Sequence, residues 1–265
     1  MSRIVKVTAV GRTRAESRTD SVADEAPLEV RLNGESFAVI MRTPGDDDVL
    51  ALGFLLSESI IGGSEDVADI LLWPDDPALA NRINVVLNGG LSAPSIDGRR
   101  HVAMSSACGL CGRVTIDSLR RDSAPLPIAW SVPGEVVLAL PATLRATQHG
   151  FDETGGVHAA GLFDRAGTLI TSAEDVGRHN AVDKVVGRML RERPLPLDDT
   201  LLAVSGRVSY EIVQKALIAG IPLIAAVSAP SSLAIECAEV GGLTLAAFVR
   251  GERFNVYTHE GRITH

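Results

Sequence analysis

From about residue 134 the sequence carries strand-like and helix-like segments in turn, and this order restricts the possible folds more than any other feature. Helix-like segments occupy about 134–149, 178–191, 208–219 and 231–240. Strand-like segments occupy about 157–163, 168–173, 201–205, 222–228 and 243–249. Strands joined by helices pair in parallel through right-handed crossovers, and the helices cover both faces of the sheet. The pattern therefore predicts a three-layer α/β domain with a mixed sheet over residues 134–265.

The first half of the chain predicts a smaller β-rich α+β part over residues 27–133. Leu28–Met41 alternates as a hairpin with Asn33-Gly34 at its turn, and a helix follows the Pro44–Asp48 turn. We expect a strand at 82–87, a polar loop at 92–100, and a loop followed by a short helix at about 108–122. Residues 1–26 are polar, and we expect them to be poorly ordered. The Pro-rich join at 124–133 marks the expected boundary.

Composition and charge exclude several classes of protein. The 265 residues are 46% apolar, enough for a core, and the net charge of −8 argues against general nucleic-acid binding. The chain starts without an apolar signal region and contains no run of apolar residues long enough to cross a membrane. Three cysteines are an odd and small number, which indicates a reducing compartment and free thiols. We therefore expect a soluble cytoplasmic protein.

Cys108 and Cys111 form a Cys-x-x-Cys pair in the segment Ser105–Gly112. The pattern predicts a helix that begins just after them, and the amides at a helix N-terminus favour the nucleophilic thiolate. Sulfur or redox chemistry is the favoured interpretation, and Cys108 is the thiol expected to lie nearer the exposed amides. Half of a zinc site and a plain structural role stay open, although no second Cys pair exists. The third thiol, Cys237, lies in a predicted helix, and we expect it to be a small buried hydrophobe.

His158 opens an apolar strand in the segment Thr154–Phe163. A hydrogen-bonded core histidine is the ordinary explanation. The segment also has part of the zinc deaminase signature, but Ala160 occupies the glutamate position and the Cys pair precedes the histidine. A deaminase-like fold without deaminase chemistry is compatible with this arrangement.

Asp175, His179 and Asp183 recur at i, i+4 and i+8 within the segment Glu174–Lys184, so a helix would place them on one face. A solvated charged face is the usual explanation of such a run. Because the run follows a strand directly, where open α/β sheets hold ligands, a functional role is equally supported.

Three further segments lie at or next to predicted strands, and two of them carry arginine. Ser205-Gly206-Arg207 fits an anion site, since Gly206 allows close backbone approach and helix amides with Arg207 can bind phosphate. Ser228–Ser232 follows the next strand in the same way, although strand-to-helix turns need such residues in any case. The Phe248–Tyr257 segment predicts a strand, a turn with two arginines and another strand, either an ordinary hairpin tip or an anion clamp.

Together these segments resemble the FdhD family, the formate dehydrogenase accessory sulfurtransferases, from about residue 25 to 258. The segments that carry the resemblance are Arg42–Asp47, Cys108–Gly112, Thr154–Ala160, Glu174–Lys184, Ser205–Arg207 and Phe248–Tyr257. The resemblance implies a fold similar to cytidine deaminase and a homodimer. It implies that sulfur arrives as a persulfide from a cysteine desulfurase and passes to the molybdenum cofactor, bis-molybdopterin guanine dinucleotide, for use by formate dehydrogenase.

On this resemblance Cys108 and Cys111 are the expected catalytic residues, and no structural metal is expected. The expected cofactor-binding residues are His158, His179, Ser205, Gly206, Arg207, Phe248, Val249, Arg250, Gly251, Glu252 and Arg253. Two alternatives stay open: a thiol–disulfide oxidoreductase using the same cysteines, and a cofactor chaperone that moves no sulfur.

Overall fold

The computed structural model describes residues 2–73, 75–89 and 125–264. The elements before residue 125 are β1 (Ser2–Val10), β2 (Ala15–Ala23), β3 (Ala26–Leu32), β4 (Glu35–Arg42), α1 (Asp47–Ser57), β5 (Val67–Leu72) and β6 (Arg82–Leu87). Those after it are β7 (Val132–Pro133), α2 (Gly134–Arg145), α3 (His149–Thr154), β8 (His158–Asp164), β9 (Leu169–Asp175), α4 (Arg178–Glu192), β10 (Thr200–Val204), α5 (Tyr210–Ala219), β11 (Leu223–Ala226), α6 (Ser232–Val240), β12 (Thr244–Arg250), β13 (Arg253–Thr258) and β14 (Ile263–Thr264).

The second half forms a six-stranded mixed sheet in the order β13-β12-β11-β10-β8-β9. The central strands β10, β11 and β12 pair in parallel, whereas β8, β9 and β13 join through antiparallel ladders. Helices α5 and α6 are the crossovers between the parallel strands, as the strand–helix alternation predicted. The predicted mixed α/β sheet is confirmed.

Helices cover both faces of this sheet, because alternate residues of each strand point to opposite sides. Leu201 and Phe163 pack with Leu140 and Leu144 of α2 on one face. Leu202 and its neighbours pack on the other face with α4, α5 and α6. The result is the three-layer arrangement that the sequence predicted.

The first half contributes a four-stranded sheet in the order β4-β3-β6-β5 and the buried helix α1. The predicted Leu28–Met41 hairpin and the strand at 82–87 are confirmed, whereas β5 was not predicted, since its exposure follows no simple alternation. Helices α1 and α4 touch at glycines: a Cβ on Gly53 would lie 2.0 Å from the Asp183 carbonyl oxygen. One continuous apolar core contains buried side chains from both sides of the expected boundary at residue 133.

Two expectations were wrong in detail. Residues 2–23, expected to be poorly ordered, form the antiparallel β1–β2 hairpin, because β-branched residues of β1 pair along the whole of polar β2. The helix expected at 134–149 ends at Arg145, and the separate helix α3 begins at His149. The loop expected at 92–100 and the helix expected within 108–122 lie outside the described residues. No helix in the described ranges has the length and apolar character that crossing a membrane requires.

Candidate functional site

A cavity of about 610 Å³ opens at the edge of the six-stranded sheet where β10, β11 and β12 end and β8 begins. Open α/β sheets place ligands at this carboxyl edge. The described residues lining the cavity are Pro141, Ala142, Leu144, Arg145, Gln148, Phe151, Gly155, Gly156, Val157, His158, Ser205, Val227 and Val249. Three of the residues expected from the sequence, His158, Ser205 and Val249, therefore share one cavity.

Ser205 and Gly206 fix the position of His158. The Ser205 hydroxyl accepts a hydrogen bond from the Ala159 amide at 2.8 Å, and the Ser205 amide donates to the Ala159 carbonyl at 3.0 Å. A Cβ on Gly206 would lie 3.3 Å from His158 Nδ1, so glycine leaves room for the imidazole. Gly206 was predicted to let the backbone come close to a ligand. In the structure, the group that comes close to Gly206 is the His158 side chain of the protein itself.

Two arginines make the surroundings of His158 cationic. Burial lowers the pKa of His158 most, and the charges of Arg178 and Arg207 lower it further, while Asp175 opposes them. Arg207 is exposed, whereas the Arg178 Nε is buried and has no hydrogen-bond partner among the residues that the structure describes. An unpartnered guanidinium N–H beside a cavity is a donor available to an anion.

His179 lies beside this group at the start of α4. Its Nε2 is 3.1 Å from the Ser209 hydroxyl oxygen and 3.8 Å from Glu211 Oε2. Burial, followed by the charges of Lys215 and Arg178, lowers the pKa of His179 to about 3. The imidazole is neutral at pH 7, so its approach to Glu211 is a polar contact rather than an ion pair.

The buried carboxylate of Asp175 holds the turn from β9 into α4. Its Oδ1 accepts hydrogen bonds from the Gly177 amide and the Asn180 side chain, both at 2.8 Å. Its Oδ2 forms an ion pair with Lys184 at 2.8 Å. The sequence placed Asp175, His179 and Asp183 on one face. The structure assigns Asp175 and Asp183 to separate buried ion pairs, since Asp183 pairs with Lys215 at 2.7 Å.

A β-bulge in β12 brings Val249 to the cavity. The side chains of Leu245 and Ala247 belong to one face of the sheet, and Ala246 and Val249 to the other. Phe248 has φ +55°, and the ladder to β13 is irregular between Ala247 and Arg250. The inserted residue shifts the alternation, which turns Val249 inward and leaves Phe248 38% exposed. A bulky residue at positive φ is strained, and such strain concentrates at functional sites.

The arginine turn after β12 lies at the rim. Arg250 donates from Nε to the Val227 carbonyl at 2.9 Å, and Val227 lines the cavity. Arg250 is opposite Arg253 in the ladder, an arrangement of like charges that an anion would stabilise. Gly251, Glu252 and Arg253 are exposed at the hairpin tip and do not appear among the described lining residues.

The sequence analysis missed the wall that α2 and α3 contribute, above all Arg145, Gln148 and Phe151. Arg178 lies in the segment Glu174–Lys184, but the sequence analysis did not predict it as a site residue. Its position between Gly177 and His179 is the sequence feature that could have indicated such a role. Cys108 and Cys111, the expected catalytic residues, lie outside the described residues.

The whole chain is similar to known proteins. The model of the FdhD/NarQ family matches residues 23–264. A protein of Nocardia farcinica named sulfur carrier protein FdhD is 48% identical over 263 residues, covering 98% of this chain and 93% of that one. A protein of the same name from Sulfolobus acidocaldarius is 46% identical over 264 residues, covering 98% of each.

A solved structure is similar as well. The crystal structure of a putative formate dehydrogenase accessory protein from Desulfotalea psychrophila superimposes with a TM-score of 0.77 at 27% identity, covering 99% of each chain. The family match spans nearly the whole sequence and includes the Cys108–Cys111 pair and the residues that line the cavity. The chain therefore belongs to the FdhD/NarQ family.

Proposed function

We propose that this protein is a sulfur carrier and sulfurtransferase for formate dehydrogenase, with Cys108 or Cys111 as the carrier. Membership of a family whose relatives are named sulfur carriers is the observation that supports this most directly. The thiolate attacks the outer sulfur of a cysteine desulfurase persulfide. The S–S bond of that persulfide breaks, the desulfurase cysteine leaves as a thiolate, and a new persulfide forms on this chain.

The acceptor of this sulfur is the molybdenum cofactor, bis-molybdopterin guanine dinucleotide, which binds as substrate in the cavity at the sheet edge. Its phosphates need cationic donors. Arg178, Arg207 and Arg250 lie at or beside the cavity and are suited to pair with phosphate oxygens. The unpartnered Nε of Arg178 and the strained, exposed Phe248 add a donor and an aromatic surface.

The remaining features of the proposal come from the family resemblance. The mixed three-layer sheet is compatible with a cytidine-deaminase-like fold, and Ala160 at the glutamate position is compatible with the loss of deaminase chemistry. We place the protein in the cytoplasm as a homodimer, with a cysteine desulfurase and a formate dehydrogenase as its protein partners.

Mass spectrometry of the intact protein tests sulfur transfer. After incubation with a desulfurase and cysteine, we expect a gain of about one sulfur atom, lost again on treatment with a reductant. Alkylation followed by peptide mapping should place the sulfur on Cys108, the N-terminal thiol of the pair and the one that the sequence pattern favours. Sulfur on Cys111 alone would reverse that choice and leave the family function in place.

The two alternatives give different results in the same experiment. A thiol–disulfide oxidoreductase would lose two hydrogens on oxidation and would gain no sulfur from the desulfurase. A chaperone that moves no sulfur would support formate dehydrogenase activity with both Cys108 and Cys111 replaced by alanine. Loss of that activity in the double variant, with sulfur uptake in the wild type, supports the sulfurtransferase.

A further inference from the structure

The β1–β2 hairpin, here called the N-terminal arm (residues 2–23), is a two-stranded sheet of its own. Its strands pair along their whole length, from Ser2 opposite Ala23 to Val10 opposite Ala15. At its base the arm rests on α3, where the Ser2 and Ser21 hydroxyls donate to the Glu153 carboxylate. In the described part of the chain, neither outer edge of the arm pairs with another strand.

Large apolar side chains of the arm are exposed to solvent. Ile4 is 76% exposed and Val10 is 80% exposed, and both lie on the same face of the hairpin. An isolated two-stranded sheet of this kind is marginally stable in water, and a long unpaired edge is a template for another strand. The outer edge of β2 is the more exposed one, since more residues of β2 than of β1 are open to solvent.

Arg18 and Asp20 carry opposite charges on either side of Thr19 in β2, so this stretch can pair with a second copy of itself. When two copies related by a two-fold axis pair antiparallel, residues on the same face of the sheet lie opposite each other. With the axis at Thr19, Arg18 lies opposite Asp20 of the second copy, and Asp20 lies opposite Arg18 of the second copy. The neighbouring permitted registers, centred on Arg18 or on Asp20, would oppose like charges, which is destabilising.

Within one chain these two charges have apolar residues across the strand pair, since Arg18 faces Val7 and Asp20 faces Val5. Among the described residues, these two side chains pair with each other along β2, at 3.5 Å and with 59% and 51% of their surfaces exposed. A second copy would therefore give both charges a charged cross-strand partner, which the hairpin by itself does not supply.

We propose that the N-terminal arm pairs edge to edge with the arm of a second copy through β2, centred on Thr19, to form a four-stranded sheet across a two-fold axis. This edge of β2 would be the interface of the homodimer that belongs to the proposed function. The base of the arm also touches the cavity rim, because Ala23 Cβ lies 3.1 Å from the position of a Cβ on Gly156. Pairing of the arms would therefore connect the cavity rims of the two copies within one dimer.

Charge variants of the full chain test this pairing by analytical ultracentrifugation. Arg18→Asp should give a monomer, because Asp20 of each copy then faces an aspartate of the other. Asp20→Arg should give a monomer for the opposite reason. Mixing the two variants should restore the dimer, since every cross-strand pair then joins opposite charges, and the double variant R18D/D20R should dimerise by itself.

Lys6→Asp is the matched control, because it changes the charge by the same amount on β1 of the same hairpin and should leave the dimer intact. A wild-type chain that stays monomeric at tens of micromolar would overturn the proposal, as would single variants that remain dimeric. Sulfur uptake by a monomeric arm variant would leave the proposed function standing, so the two proposals fail separately.

Discussion

Lys184 Nζ lies 2.8 Å from Asp175 Oδ2, and these two side chains are 2% and 0% exposed. Both also contact Thr43: its amide donates to Asp175 at 3.1 Å and its carbonyl accepts from Lys184 at 3.1 Å. The pair therefore ties the start of α4, which carries Arg178 and His179, to the loop between β4 and α1. The geometry of the cavity edge depends on this contact between the two halves of the sequence.

Asp175→Asn should destabilise the protein strongly, because it leaves the Lys184 ammonium buried without a counter-charge. A loss of about 3–5 kcal/mol in the free energy of unfolding is expected. Asp46→Asn is the control, since Asp46 pairs with Arg188 at 3.1 Å with side chains 51% and 29% exposed. That change should cost less than about 1 kcal/mol in denaturant unfolding. Equal losses in the two variants would contradict the assigned role.

Gly187→Ala should force α1 and α4 apart. A Cβ on Gly187 would lie 1.9 Å from the Val49 carbonyl oxygen, a backbone atom that cannot move alone. We expect a net loss of about 1–3 kcal/mol, even though alanine is about 1 kcal/mol better than glycine in a helix. Gly89→Ala, with no atom of the described residues within 4 Å of its Cβ position, should be neutral in the same thermal unfolding assay.

His179 should make the protein less stable in acid. Its pKa falls from 6.5 in the unfolded chain to about 3 in the folded one. Below pH 6.5 the unfolded state binds the proton first, so stability is lost as pH falls towards 3, by up to about 1.4 kcal/mol per pH unit. His179→Gln should flatten this slope between pH 6 and pH 4, as measured by denaturant unfolding at each pH. Parallel curves for the variant and the wild type would rule out His179 as the cause.

Arg207→Ala and Arg178→Ala should weaken the binding of GDP, used as a probe for the guanine-nucleotide part of the proposed substrate. Loss of one charged hydrogen bond corresponds to about 1.5–3 kcal/mol, or roughly ten- to hundredfold in Kd. Calorimetry should show the smaller effect for exposed Arg207. Arg165→Ala is the control, because Arg165 lies in the turn at the opposite edge of the sheet, 4.8 Å from the Trp130 ring. Unchanged affinity in Arg207→Ala would remove that residue from the site.

Cys237→Ala should spare sulfur uptake. The Cys237 thiol is partly buried in α6 and packs against the core, and burial raises its pKa, so it is a poor nucleophile. We expect a stability loss of about 1 kcal/mol. The intact mass after incubation with a desulfurase should increase as it does in the wild type, and a failure to gain sulfur would show that Cys237 takes part.

Local signals were sufficient for most elements. The Asn33-Gly34 turn and the buried run Leu201–Val204 act within a few residues, and the elements they predicted are present. The arm was missed because β2 has too few apolar residues to be recognised without its partner strand. The bulge at Phe248 was missed because a positive φ in a non-glycine residue is imposed by the surrounding sheet rather than by the local sequence.

The sequence by itself determined the α/β class, the charged segment Glu174–Lys184 and the Cys108–Cys111 pair, since each depends on residue type and spacing along the chain. Only the tertiary structure decided that Asp175 and Asp183 are ion-paired inside the core while Arg178 stays available beside the cavity. It also decided that α2 and α3 supply one wall of that cavity. The physical reason is that burial, ion pairing and pKa depend on groups far apart in sequence, such as Thr43 and Lys184, which the fold brings together.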